Sequence, residues 1–280
     1  MTVGRGDIEA GLRALGVDGD TVVVHASLRS FGWVDGGAAA VAEALVSVCG
    51  TVVVPSGTWD LTGVPAPPGP GRPDNAARSA ASWAELDAAV ERAVPYDPSL
   101  PIDAWLGAVP EAVRVGHAHV RGAHPLFSFL AVGPHAGEVI DGDLLARPLL
   151  PLERVEALRG TVLLLGVGHT SNTAVHLAEQ RLGRSCFFRY AKIAPEAWAE
   201  LPNVSGESHR FGDLEPALRP FTREVTIGSC RARAVPIAEV LRCATEAVER
   251  DPAALLCADR DCARCRAAEH QREAAVACLR

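Results

Sequence analysis

His169, His176 and Glu179 fall within eleven residues of one another in the segment GVGHTSNTAVHLAEQR, residues 166–181. His176 and Glu179 are three apart, which on a helix places them on one face, with Thr173 one turn earlier. His169 stands just past an apolar run, where a buried strand would end. A histidine that titrates near neutrality and is oriented by a neighbour is suited to take up a proton, and a helix start adds backbone N–H groups that favour developing negative charge. Acyl transfer to an amine uses all of these. An alkylamine is mostly protonated at neutral pH and an ammonium cannot attack a carbonyl, so a base must remove the proton. The carboxylates of Glu179 and Asp60 could hold an ammonium-bearing ring. Singly, His176 could be a packing histidine and Glu179 a partner of Arg181 or Arg184. Three such groups at a strand-to-helix junction favour chemistry. Acting as metal ligands, the same trio would instead suit a metal-dependent hydrolase.

Complementary chemistry lies earlier in the chain. His25, Ala26, Ser27 and Leu28 follow a β-branched run, and Gly36 and Gly37 precede an Ala-rich stretch. Backbone N–H groups at these two places could cradle phosphate. Neither GxGxxG nor a P-loop is present, which argues against a dinucleotide or nucleoside-triphosphate enzyme, and the absence of GxSxG leaves a serine hydrolase without support.

These residues need elements to position them. TVVVHAS and TVVVPSGTWD read as buried strands on either side of a helix over AAAVAEALVSVCG, a βαβ unit with parallel pairing. Ligands of open α/β sheets bind beyond the carboxyl ends of the strands, which sets residues 25–28 beside residues 57–60. A helix is expected near residues 8–15. The Pro- and Gly-rich residues 61–82 form a long loop, read as a lid. SWAELDAAVERAV starts a helix on a serine cap, and AWLGAVPEAVR reads as a broken helix containing Pro110. FSFLAVG is a further strand. TVLLLGVG is the clearest one and feeds a helix capped by Ser171 or Asn172. Short strands at FFRYAKI and REVTIGSCRARAVP precede a helix over residues 237–250. The expected fold is α/β, a mixed, partly parallel central sheet flanked by helices. One main domain would span residues 1–250, followed by a Cys-rich tail over 251–280.

At 280 residues and 48% hydrophobic content the chain can bury a large core. Its net charge of −7 argues against general affinity for nucleic acid or anionic membrane and suits a small polycationic amine. The apolar runs fall far short of a bilayer span, and MTVGRGDIEAGL does not resemble a signal peptide. The protein is therefore expected in the cytoplasm, its cysteines reduced, as a monomer or an oligomer. Cys49, Cys186, Cys230 and Cys243 read as structural thiols. Cys257, Cys262, Cys265, His270 and Cys278 give C-x4-C-x2-C-x4-H-x7-C, in which Cys257, Cys262, Cys265 and His270 could hold a structural zinc. The non-enzyme alternative makes this tail a zinc-bearing interaction module.

Taken in order, HASLRSFGWVDGG, PSGTWD, YDPSLP, AHPLFSFLAVG and GVGHTSNTAVHLAEQR resemble the aminoglycoside 3-N-acetyltransferase family, over residues 21–181. The resemblance implies an acetyl-CoA-dependent N-acetyltransferase, associated with antibiotic resistance, whose α/β fold differs from that of the common acetyltransferase superfamily. It also implies that Ser27, Leu28 and their neighbours line the coenzyme A pyrophosphate and that Ser128 lies close to the cosubstrate. His169 resembles the catalytic histidine, and His176, Glu179 and Asp60 resemble acceptor-site residues. Either histidine could take the proton, with His169 preferred. The chain departs from the family in having Ala26-Ser27 where members often have Ser-Ser, and RGAHP where RSxHP is typical. A relative acetylating a different small amine would share the same motifs.

Overall fold

The structure, a computed structural model, describes residues 2–69, 79–142, 144–184, 187–204, 207–259 and 261–278. Residues 70–78 of the expected lid, and Cys186, lie outside the described residues.

Among the described residues, seven strands form one mixed sheet, in the order Arg223–Ile227, Cys230–Pro236, Thr161–Leu165, Thr21–Ala26, Thr51–Pro55, Phe129–Val132 and Val120–Arg121. The three central strands are parallel, and Thr21–Ala26 and Thr51–Pro55 are joined through the helix Gly37–Val48 in the expected βαβ unit. The outer strands pair antiparallel.

The apolar runs are continuous because both faces of the sheet are covered. Val23, Val53, Ala131, Val162 and Leu164 face one core, with the helices Leu150–Ala157, Ala174–Arg181 and Ile237–Arg250. The alternate residues Val22, Val24, Val52, Val54, Leu163 and Leu165 face the other, with Arg5–Ala14, Gly37–Val48 and Ala108–Gly116. The period of two along each strand thus assigns every side chain to a layer. A smaller antiparallel sheet, in the order Ala197–Asn203, Phe187–Ala194 and Gly63–Val64, stands near the binding edge. It packs there through Leu126, Ala191 and Leu201, against Trp59.

One local expectation changes, the helix cap, and two become specific. The expected broken helix is present, but its break does not fall at Pro110. Pro110 lies in the first turn of Ala108–Gly116, where a missing N–H costs nothing, and the break falls at Gly107, whose φ of +97° separates this helix from a 3₁₀ turn at Ala104–Leu106. The segment after Thr161–Leu165 first makes a 3₁₀ turn at His169–Ser171, so the α-helix begins at Ala174 with Thr173, not Ser171 or Asn172, at its N-cap. REVTIGSCRARAVP is a two-stranded hairpin turning at Gly228. The serine cap holds: Ser82 Oγ accepts the Glu85 N–H, and the Glu85 carboxylate accepts the Ala81 N–H.

Candidate active site

Parallel strands end together, and here they end on a cavity. Ala26 leads into Ser27 and Leu28, Pro55 into Gly57 and Trp59, and Leu165 into the 3₁₀ turn and helix. Phe129–Val132 runs the other way, so its preceding residues Phe127 and Ser128 reach the same edge, opposite Pro55. The cavity has a volume of about 1220 Å³. That exceeds the roughly 300–1,000 Å³ of a pocket for one drug-sized ligand and leaves room for two substrates.

His176 lines this cavity from the first turns of the helix Ala174–Arg181. Its Nδ1 lies 2.9 Å from Glu179 Oε2, and both side chains are buried. With Nδ1 committed to the carboxylate, Nε2 is the ring nitrogen left for the cavity. Phe211 packs edge-on against the ring, centroids 4.9 Å apart, and limits its rotation. Behind the pair, the fully buried Arg184 guanidinium is close enough to Glu179 for their charges to attract.

His169 is placed differently. It is buried to 1% exposure and does not line the cavity. Its Nδ1 meets the Asn172 amide at 3.2 Å, and its Nε2 points toward Glu215 at 3.7 Å, beside Arg233. Burial pushes its pKa down to about 4, against the pull of Glu215. Ligand atoms of His169, His176 and Glu179 do not come together as a metal site; among the described residues only a cysteine cluster does so.

Of the residues expected at the cosubstrate, His25, Ala26, Ser27, Leu28 and Ser128 line the cavity. Ser27 N–H is taken by Leu165 O, and the buried Ser128 hydroxyl is shared with Ser56 O and Oγ. Gly36 and Gly37 do not line it; at φ of +76° and +58° they make the left-handed turn that starts the following helix. Asp60 is exposed and also lies off the cavity, while the buried Asp103 carboxylate accepts the N–H groups of Trp59 and Asp60. At the helix start, Thr173 N–H points to His25 Nε2 at 3.4 Å and Ala174 N–H to Asn172 Oδ1. These two amides are therefore engaged within the protein, contrary to the expectation of free donors. Accepting the Thr173 N–H fits a neutral His25, whose pKa burial lowers to about 4.

Two residues of the RGAHP turn tie together the loops around the site. Arg121 reaches the carbonyls of Pro98, Leu100 and Ser56, tying YDPSLP to PSGTWD. The wholly buried His124 accepts the N–H groups of Leu126 and Phe127 on Nδ1 and meets Pro202 O with Nε2 at 2.8 Å, joining the two sheets. Sequence reasoning missed Trp105, Arg189 and Arg264 on the cavity wall. Arg189 is buried near the Trp59 ring, 5.9 Å away, and burial lowers its pKa to about 10. Only the unusual Arg between aromatics in FFRY signalled it. The lining contains Arg29, Arg189 and Arg264 and, among the described residues, no Asp or Glu.

Residues 23–249 match the family described as aminoglycoside 3-N-acetyltransferase. The aminoglycoside N(3')-acetyltransferase-like protein YokD of Bacillus subtilis is 34% identical, over 74% of this chain and 77% of its own. Aminoglycoside N(3)-acetyltransferase VIII of Streptomyces fradiae is 38% identical over 64% of this chain and 61% of its own, so this alignment spans less than two thirds of the Streptomyces enzyme. Among solved structures, a mutant of the aminoglycoside acetyltransferase AAC(3)-IVa in complex with gentamicin is similar at a TM-score of 0.75 and 26% identity, covering 97% of this chain and 98% of that one. AAC-IIIb in a binary complex with CoASH shares the fold, at a TM-score of 0.73 and 22% identity, over 89% of this chain and 97% of its own.

Proposed function

The chain belongs to the aminoglycoside 3-N-acetyltransferase family, and from that premise we propose that it transfers the acetyl group of acetyl-CoA to an amine of an aminoglycoside, the 3-amino group, with His176 as the base. The observation that carries this reading is the buried His176–Glu179 pair, 2.9 Å apart, on the wall of a cavity large enough for both substrates. Glu179 holds the imidazole with Nδ1 protonated and stabilises the imidazolium that forms. Nε2 removes a proton as the amine attacks the thioester carbonyl. The new C–N bond forms, the C–S bond breaks, and the coenzyme A sulfur leaves with the electron pair and then takes up a proton. No acyl-enzyme is formed.

Acetyl-CoA is the cosubstrate in this reading. It enters along the edge that carries Ser27, Leu28 and Ser128, with Arg29 at the mouth to meet phosphate. His169 becomes a positioning residue: through Asn172 it holds the turn that presents Thr173 and His176.

A second reading of the acceptor is favoured by the cavity's charge. Among the described residues the lining holds Arg29, Arg189 and an Arg264 that is paired with Glu207, and no carboxylate, with Glu179 recessed behind His176; this suits an amine with fewer positive charges, or one that carries an acidic group. Thiol release from acetyl-CoA, measured over a panel of aminoglycosides and of simpler and acidic amines, separates the two. Turnover confined to aminoglycosides supports the first reading, turnover confined to the less cationic amines supports the second, and no turnover with any amine overturns both.

A further inference from the structure

The helix Ala263–Cys278 is poorly held for its length. Of its sixteen residues, only Cys265 and Ala268 are buried. They join Phe187 and Leu256 in a small cluster outside both main cores, with Cys257 and Cys262 packed against it. An isolated helix of this length is marginal in water, and two small side chains supply little burial to hold it in place.

At its start the sulfurs of Cys257, Cys262 and Cys265 converge, all within 4.8 Å of one another. Thiolates at about 2.3 Å from a tetrahedral zinc lie roughly 3.8 Å apart, so the trio is gathered to the scale of one ion. Cys257 N–H donates to Cys265 Sγ at 3.4 Å, the kind of amide-to-sulfur bond that stabilises a ligating thiolate. All three side chains are free of disulfides. His270, expected as a ligand, does not join them. It is exposed, and five residues beyond Cys265 on a helix it is turned about 140° away from that cysteine.

We propose that Cys257, Cys262 and Cys265 bind a structural zinc ion that fastens this helix to the acetyltransferase core. Each thiol releases a proton to solvent as its sulfur binds, and the fourth position goes to a donor outside the trio. The site also bears on the cavity. Arg264 sits between two of the ligands and lines the cavity wall, its Nη1 2.6 Å from Glu207 Oε1. Fixing Cys262 and Cys265 fixes the backbone from which that arginine reaches.

Metal analysis of the full chain, purified under reducing conditions after growth with added zinc and then desalted, tests this. The expected result is close to one zinc per chain in the wild type and in His270→Ala, and almost none in the double variant Cys262→Ser, Cys265→Ser. A zinc chelator should lower the melting temperature of the wild type and raise the KM for the acceptor more than it lowers kcat. If the double variant does not fold, cobalt added to chelated wild type should give the intense thiolate-to-cobalt charge-transfer band. Wild type that holds no zinc and gives no such band, or zinc that persists in a folded double variant, overturns the proposal.

Discussion

At the scale of single residues, the two histidines of residues 166–181 make different predictions. His176 touches the cavity and is paired with Glu179, so His176→Ala should lower kcat/KM by about 10²–10⁴-fold, the usual worth of a positioned general base, in the fraction that remains folded after the buried Glu179 loses its partner. Glu179→Gln should lower kcat by a smaller factor and leave the acceptor KM nearly unchanged, since the carboxylate faces the ring rather than the cavity. Steady-state kinetics beside a thermal melt check both. His169→Ala should act mainly through the melt, because His169 is enclosed at 1% exposure and its ring, among the described residues, reaches Asn172 and Glu215 rather than the cavity. The sequence made the cluster legible, but not the division of labour within it. Spacing puts His176 and Glu179 on one face wherever the helix starts. The direction of His169 depends on the 3₁₀ turn between strand and helix, and no periodicity encodes that turn.

At the scale of elements, the positions of the site loops rest on a few buried polar links. His124→Ala would leave the N–H groups of Leu126 and Phe127 and the carbonyl of Pro202 without their partner. It should cost about 2–3 kcal/mol in denaturant unfolding, with the smaller sheet loosened first in hydrogen exchange. A stability unchanged by His124→Ala would mean that the two sheets are joined by packing alone. The central strands were readable because Val22–Val24, Val52–Val54 and Val162–Leu165 are buried on both faces, which gives the uninterrupted apolar runs of a parallel sheet. The helix Ile237–Arg250 stands at the expected bounds, although the pattern beyond Arg184 is weaker. The Gly63–Val64 strand was not, being two residues inside a Pro- and Gly-rich loop and specified only by its pairing with Phe187–Ala194. Nor could the chain show that Asp103, distant in sequence, and not Asp60, is the buried carboxylate of the PSGTWD turn.

At the scale of the whole molecule, the acid side of the stability curve follows from buried histidines. His25, His124 and His169 are each held near a pKa of about 4 by burial, against 6.5 for the free side chain. Between these values the unfolded chain binds more protons than the folded one. The folded state therefore loses stability as the pH falls below about 6.5, by about 1.4 kcal/mol per pH unit for each histidine, until the folded pKa is reached. Melting temperatures taken from pH 7.5 to 5 should fall, and His25→Asn should make that fall shallower; equal slopes would show that the His25 ring is not buried neutral. Among the described residues no helix is long and apolar enough to cross a membrane. The α/β/α layering, the mixed sheet and the family follow from patterns spread over the whole chain, which is why they were legible early. The arginine-lined cavity brings together residues as distant as Arg29 and Arg264, and only the folded chain reveals it.

The central claim, acetyl transfer by His176 in the cavity at the strand ends, is tested most directly by thiol release from acetyl-CoA with a 3-amino aminoglycoside, for wild type, His176→Ala and His169→Ala at matched folded concentration. The account predicts turnover by wild type, loss of at least about a hundredfold in kcat/KM for His176→Ala, and a much smaller loss for His169→Ala. Undiminished turnover by His176→Ala, or a loss that falls on His169→Ala instead, would contradict it.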